Sequence, residues 1–163
     1  TSHRAHVGPM AAVAGVIADL AVDAMVREGA SVAVVENGGE AALGSDRPLI
    51  VSVGAGDNPL SERIGFRVTS FPCGIATSSG RHSHAFSMGD ADSVTVFAAN
   101  AGLADAVATY AANQVKGFEG SDIFSGVEAA LRIKGVCGVL AIRDDRVATG
   151  GVLPEIVSVE ATY

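Results

Sequence analysis

The stretch Ser31-Val32-Ala33-Val34-Val35-Glu36-Asn37-Gly38-Gly39-Glu40 decides how the rest of the chain is read. Ser31 to Val35 is a β-branched run that reads as a strand, and Asn37-Gly38-Gly39 is a strong turn signal behind it. Asn-Gly is also a favoured hairpin dipeptide, because both residues tolerate positive φ.

Upstream, Pro9 suits the first turn of a helix and Gly29 the position just beyond its end. Between them Met10, Val13, Ile17, Leu20 and Ala24 recur at helical spacing and predict the buried face. Asp19, Asp23 and Arg27 predict the wet face. Ala11, Ala12, Ala14 and Gly15 make the first half thin, so another element can approach it closely. Downstream, strands are expected at Leu49 to Val53, Gly65 to Val68, Ile75 to Ser78 and Val94 to Ala98. Helices are expected from Leu103 to Val115, capped by Asn100, and from Ile123 to Ile133 behind Ser121 or Asp122. Val139 to Ile142 and Arg146 to Ala148 pair as a hairpin across Asp144-Asp145, and a last strand runs from Ile156 to Ala161. Strands outnumber helices and several adjoin in sequence, so an α+β domain fits better than βαβ alternation. With no repeat or linker, residues 1–163 read as a single domain.

The chain has 163 residues, 20 of them Gly, and a formal net charge of −7. That length buries a real core without staples. Eleven Lys and Arg face 18 Asp and Glu with no basic cluster, which argues against a sequence-reading nucleic-acid binder and against a basic membrane-surface helix. The most apolar stretch, Pro9 to Val26, is interrupted by Asp19 and Asp23, which argues against a membrane span. Cys73 and Cys137 are too few for a disulfide framework and read as buried thiols in a reducing cytosol, so a cytoplasmic location is expected. The chain starts at Thr1 rather than Met, which fits a processed product, an excised fragment or part of something longer. A hydrolase with Thr1 as nucleophile is one reading of that start.

Three constellations carry chemistry. Consecutive glycines at Gly38-Gly39 let backbone amides approach a phosphate or planar ring, unless the turn is only a turn. Ala76-Thr77-Ser78-Ser79-Gly80-Arg81-His82-Ser83-His84 is dense in hydroxyls and imidazoles. It reads as a polar surface loop, as a loop that hydrogen-bonds a polar ligand, or, with Cys73, as a sparse metal site. Asp105 and Thr109 lie one helical turn apart, where two oxygens can hold a hard cation such as Mg²⁺. By the stripe Leu103, Val107, Tyr110 and Ala111, however, they face away from the core as a solvated face does.

Singly these signals are weak, but their order is informative. Gly8-Pro9-Met10-Ala11-Ala12-Val13-Ala14-Gly15 is followed by Val35-Glu36-Asn37-Gly38-Gly39-Glu40, then Ile75-Ala76-Thr77-Ser78-Ser79-Gly80. Asp92-Ser93-Val94-Thr95-Val96 and Ala104-Asp105-Ala106-Val107-Ala108-Thr109 complete the series. The chain resembles the ApbE superfamily, whose best-known members are Mg²⁺-dependent flavin transferases. It looks closer still to the small ApbE-related proteins, which share the opening and the Leu153-Pro154-Glu155-Ile156-Val157 ending.

The resemblance implies a T-fold-like α+β domain, a mostly antiparallel sheet with packed helices, that binds FAD and transfers FMN to a protein threonine. It implies flavin contacts from Asn37, Gly38 and Gly39 and from Thr77, Ser78, Ser79 and Gly80, and Mg²⁺ ligands at Asp105 and Thr109. It also implies an acceptor protein as partner. The departures are specific. Transferases carry Ala-Lys-Gly where this helix has Val13-Ala14-Gly15, so a lysine is missing. Their His-Ile-x-Asp-Pro element shrinks here to Arg81 through Ala91, with only His82 or His84 to stand in. Relatives also carry an N-terminal portion that this chain lacks. A non-catalytic subunit of the same fold is therefore the alternative, with homo-oligomerisation through sheet edges suggested by the Val- and Ala-rich strands.

Overall fold

A computed structural model describes residues 2–54, 57–59, 61, 63–79, 89–116 and 122–159. The chain opens with two short 3₁₀ turns, Ser2–Ala5 and Pro9–Ala12, and then α1, Val13–Arg27. Next come β1, Val32–Asn37; β2, Glu40–Ser45; β3, Leu49–Ser52; β4, Ile64–Val68; β5, Cys73–Ser78; and β6, Ser93–Ala98. Two helices, α2 (Ala101–Gln114) and α3 (Asp122–Leu131), precede β7, Val136–Arg143; β8, Arg146–Gly151; and β9, Glu155–Ser158. The fold is α+β, as expected. β2 was not foreseen: Glu40-Ala41-Ala42-Leu43-Gly44-Ser45 has little β-branching, and only pairing with β1 and β5 makes it a strand.

One sheet has six strands in the order β1-β2-β5-β6-β7-β8, and a smaller one has β3-β4-β9; every pairing is antiparallel. Alternation along the central strands sorts side chains onto two faces. Ala76, Val94, Val96 and Ala141 face the helices, where they join the core of α2 and α3. Ile75, Phe97, Leu140 and Ile142 face the small sheet and pack with Phe66 and Val68. Phe66 and Phe97 meet there at 4.7 Å between ring centroids. The predicted hairpin across Asp144-Asp145 is present, with Asp144 at φ +53.

The expected burial of α1 is reversed. Its inward face is Gly15, Ala18 and Val22, while Met10, Val13, Ile17 and Leu20 are exposed. Small residues win the inward side because α1 lies against the start of α2. A Cβ on Gly15 would run into the backbone carbonyl of Ala101. Pro9–Ala12 is a 3₁₀ turn rather than the first α-turn, with a kink at Ala11. Pro9–Arg27 has the length and mean hydropathy, 1.7, of a membrane-crossing helix, but Asp19 on its flank is engaged with α2.

Candidate functional site

The β1–β2 turn is built by its glycines. Gly38 and Gly39 sit at φ +73 and +107, which side-chain-bearing residues adopt only at a cost. Glu36 Oε1 accepts the Gly39 amide at 2.8 Å and closes the turn. Asn37 Nδ2 donates to the Ala14 carbonyl at 3.2 Å, tying the turn to the start of α1. The Gly39 carbonyl accepts the Thr77 amide at 3.2 Å, so the turn also abuts the end of β5.

Thr77 and Ser78 point to opposite faces. Thr77 lies on the small-sheet side, where its Oγ1 is 2.9 Å from Thr95 Oγ1. Ser78 is buried under the helices. The expected contact set Thr77, Ser78, Ser79 therefore does not form one continuous surface, because strand alternation divides it. Gly80, Arg81, His82 and His84 lie outside the described residues. Among the described residues, no three of His, Cys, Asp and Glu converge on a common metal position.

A cleft of about 330 Å³ lies between the two sheets beside this turn, lined by Glu36, Gly39, Val53, Ile75, Thr77 and Ser79 among others. It falls at the small end of ligand-site volumes. Asp92 stands on its wall and also braces it: Asp92 Oδ2 accepts the Asp144 amide at 2.7 Å and Asn58 Nδ2 at 3.0 Å. Next to it, Ser93 Oγ is buried without a hydrogen-bond partner among the described residues.

On the helix side, the expectation that Asp105 and Thr109 form a solvated face is corrected. Asp105 is 7% exposed and Thr109 half-buried, because α2 is clad by α1, α3, the first 3₁₀ turns and the sheet. The stripe of large residues misled because α2 is alanine-rich all round and packs on every side. Asp105 Oδ2 accepts the Gly15 amide at 3.0 Å. Burial pushes the Asp105 carboxyl above its usual range, and the Gly15 amide only partly offsets this. Glu40, at the mouth of β2, is pushed up to about 8, chiefly by burial and then by the charges of Asp105 and Glu36. Asp105 and Glu40 thus act on each other on the helix side of the Gly38–Gly39 turn, with Glu36 a weaker neighbour of Glu40.

Glu40 closes the turn motif without a spacing that marks it for chemistry, and Asp19 is expected on the wet face of α1. Asp19 instead holds the amides of Ala101 and Gly102, each at 2.8 Å, at the start of α2. An acid in the middle of the otherwise uncharged run from Met10 to Val22 was the available signal for it.

A second cavity, about 550 Å³, lies at the opposite end of the large sheet and is mostly apolar. Cys73 and Cys137 line it. Cys73 is half-buried and Cys137 exposed, so the expectation of two buried thiols fails for Cys137. Burial, and then the nearby Cys137, raise the Cys73 thiol to about 11.

A family model described as AbpE bacteria matches residues 1–124. A protein of Methanococcus vannielii called UPF0280 protein is 38% identical over 98% of this chain and 66% of its own length. The UPF0280 protein of Methanosphaerula palustris is 43% identical over 94% of this chain and 64% of its own length. The chain thus spans just under two thirds of these relatives. Among solved structures, the ApbE protein of Thermotoga maritima superposes with a TM-score of 0.61 at 19% identity, over 90% of this chain and 48% of that one. The apo flavinyl transferase ApbE of Pseudomonas stutzeri gives 0.55 at 20% identity, over 86% and 47%. At such identities the likeness is one of fold.

Proposed function

The chain belongs to the bacterial AbpE family of ApbE-related proteins, and from that premise we propose that it binds a flavin nucleotide, FAD, at the β1–β2 turn, with Mg²⁺ held by Asp105 and Thr109. The observation that carries this reading is the buried carboxylate of Asp105 beside Glu40, one helical turn from the Thr109 hydroxyl. Burial raises both carboxyls, the charges of Asp105 and Glu36 raise Glu40 further, and the Gly15 amide partly relieves Asp105. A hard cation satisfies such a pair, and Mg²⁺ characteristically takes one or two carboxylates and completes its shell with phosphate oxygens and water. When bound, it supplies neutralisation of the pyrophosphate.

The protein's own residues have separable tasks. Gly38 and Gly39 keep the turn free of side chains where a ligand approaches, and Asn37 fixes that turn to α1. Thr77 offers a hydroxyl on the cleft side, shared with Thr95. Asp105 is oriented by the Gly15 amide, and Asp19 fixes the α1–α2 crossing that brings Gly15 to it.

Titration of FAD followed by flavin fluorescence, with and without Mg²⁺, tests this reading. Mg²⁺-dependent binding is expected, and no binding up to high micromolar FAD would overturn it. Transfer is a separate question, read as AMP released from FAD in the presence of a threonine-containing acceptor peptide. Ala14 favours the second reading, a non-catalytic binding module. It stands where transferases carry lysine, and its carbonyl is occupied by Asn37. In that case FAD binds and no AMP appears.

A further inference from the structure

The face of the large sheet that looks into the inter-sheet cleft carries a block of hydroxyls. Alternation along β6 puts Ser93 and Thr95 on that face with Phe97, and Val94 and Val96 on the helix side. Register brings Thr77 opposite Thr95, where the two hydroxyl oxygens stand 2.9 Å apart. One residue beyond the Ser78–Val94 pair, Ser79 comes level with Ser93 and lines the cleft. Ser93 is 1% exposed, and its Oγ has no hydrogen-bond partner among the described residues. A buried hydroxyl left unpaired costs stability, so its retention calls for a reason.

The other walls of the cleft narrow what that hydroxyl can meet. Glu36 and Asp92 put carboxylates on them, and among the described residues no lysine, arginine or histidine lines the cleft, so a phosphate is repelled. No aromatic side chain lines it either, so a planar ring finds nothing to stack on. Val53 and Ile75 supply an apolar floor. The volume, about 330 Å³, suits a fragment of a nucleotide rather than the whole of one. Hydroxyls that donate and accept, carboxylates that only accept, and an apolar floor together fit a neutral carbon chain bearing vicinal hydroxyls.

We propose that the inter-sheet cleft binds the five-carbon polyol part of the nucleotide, a ribityl chain or a ribose, and that Ser93 and Thr77 read its hydroxyls. The proposal rests on the nucleotide reading of the β1–β2 turn and divides the ligand between two sides of the sheet. Glu40 pairs with Ala76, which faces the helices, so the Glu40 and Asp105 carboxyls lie on the helix side. Thr77, Ser79 and Ser93 lie on the small-sheet side. The Gly38–Gly39 turn stands between them, and Gly39 itself lines the cleft. A ligand with its phosphates on one side and its polyol on the other crosses there, where no side chain intervenes. The polyol supplies the partner that the Ser93 hydroxyl lacks.

Calorimetric titration with FMN, ADP and inorganic pyrophosphate, each with Mg²⁺, tests this on wild type, Ser93→Ala and Thr77→Val. FMN carries the ribityl chain, ADP the ribose, and pyrophosphate neither. Both variants should weaken FMN or ADP about tenfold, the loss of one hydrogen bond, and the one weakened identifies the pentose in the cleft. Pyrophosphate should bind all three proteins alike. Ser93→Ala should also raise the melting temperature of the free protein, because it removes an unpaired buried hydroxyl. A lowered one means that Ser93 already has a partner, and overturns the proposal. FMN and ADP binding equally to all three proteins overturns it too, while the Mg²⁺ site at Asp105 stands. So does pyrophosphate weakened in step with the nucleotides, since the variants then disturb the whole site. If none of the three ligands binds wild type, the nucleotide reading falls and the proposal with it.

Discussion

The Asp105 carboxylate accepts the backbone amide of Gly15 at 3.0 Å, from 90 residues along the chain. This contact joins the second turn of α2 to the first turn of α1, and it lies beside Glu40. It gives Asp105 a structural duty in addition to the proposed cation-binding one, and the two duties separate by substitution. Asp105→Ala leaves the Gly15 amide without an acceptor and should cost about 1–3 kcal/mol. Asp105→Asn keeps an acceptor oxygen and removes a buried charge, so its stability should equal or exceed that of the wild type. Urea unfolding measures both. Mg²⁺-dependent FAD binding should be lost in each variant; if Asp105→Asn retains it, the cation is held elsewhere.

Gly15 tests how tightly the two helices are pressed together. A Cβ there meets the Ala101 carbonyl and its neighbours, all backbone, so relief requires moving a helix. Gly15→Ala should destabilise by about 1–3 kcal/mol or more, as overpacking does. Gly8→Ala is the control, since a Cβ at Gly8 meets nothing within 4 Å. Thermal unfolding of the two variants should differ clearly; equal melting temperatures would mean that α1 and α2 are further apart than described.

Glu40 makes stability depend on pH. Its folded pKa, about 8, lies above the 4.5 of an ordinary glutamate, so the folded state binds the proton more tightly than the unfolded state does. Its stabilising contribution is full below about 4.5 and is lost as pH rises towards 8. Glu40→Gln should remove this slope and gain stability relative to wild type at pH 8. Denaturant midpoints at pH 5 and pH 8 decide it, and an unchanged slope in the variant would remove Glu40 as the cause. Added Mg²⁺ should flatten the wild-type slope if the cation sits by this carboxyl.

How much of this was legible in the sequence depends on range. The Asn37-Gly38 turn, the Asn100 cap and the Asp144-Asp145 hairpin were legible because each is a local preference within a few residues. The strand β2 was not, since Glu40–Ser45 becomes a strand only through its neighbours. The faces of α1 and α2 were misread for a related reason. Periodicity finds where large apolar residues gather, but Gly15, Ala18 and the alanines of α2 are buried by close helix approach, which small residues permit. The carboxylate group of the candidate site was in view as separate letters. Asp105 came forward by its spacing to Thr109, whereas its proximity to Glu40 belongs to the packing of α2 on the sheet.

Asp19 is the remaining test of that packing. Its two oxygens take the amides of Ala101 and Gly102, which the helix itself cannot satisfy, while Asn100 Oδ1 takes the Leu103 amide at 2.8 Å. The start of α2 is thus capped twice, once from its own chain neighbour and once from α1. Asp19→Ala should cost about 0.5–2 kcal/mol, the range of a lost cap. Asn100→Ala should cost a similar amount, and the pair should be non-additive because both act on one helix start. Asp19→Ala should also weaken Mg²⁺-dependent FAD binding, through the shifted Gly15 amide, where Asn100→Ala does so less. A double-mutant cycle in urea, with FAD titrations on the same four proteins, measures both effects. If Asp19→Ala costs nothing and leaves binding intact, α1 and α2 are held together without the Asp19 cap, and the Gly15–Asp105 contact does not depend on it.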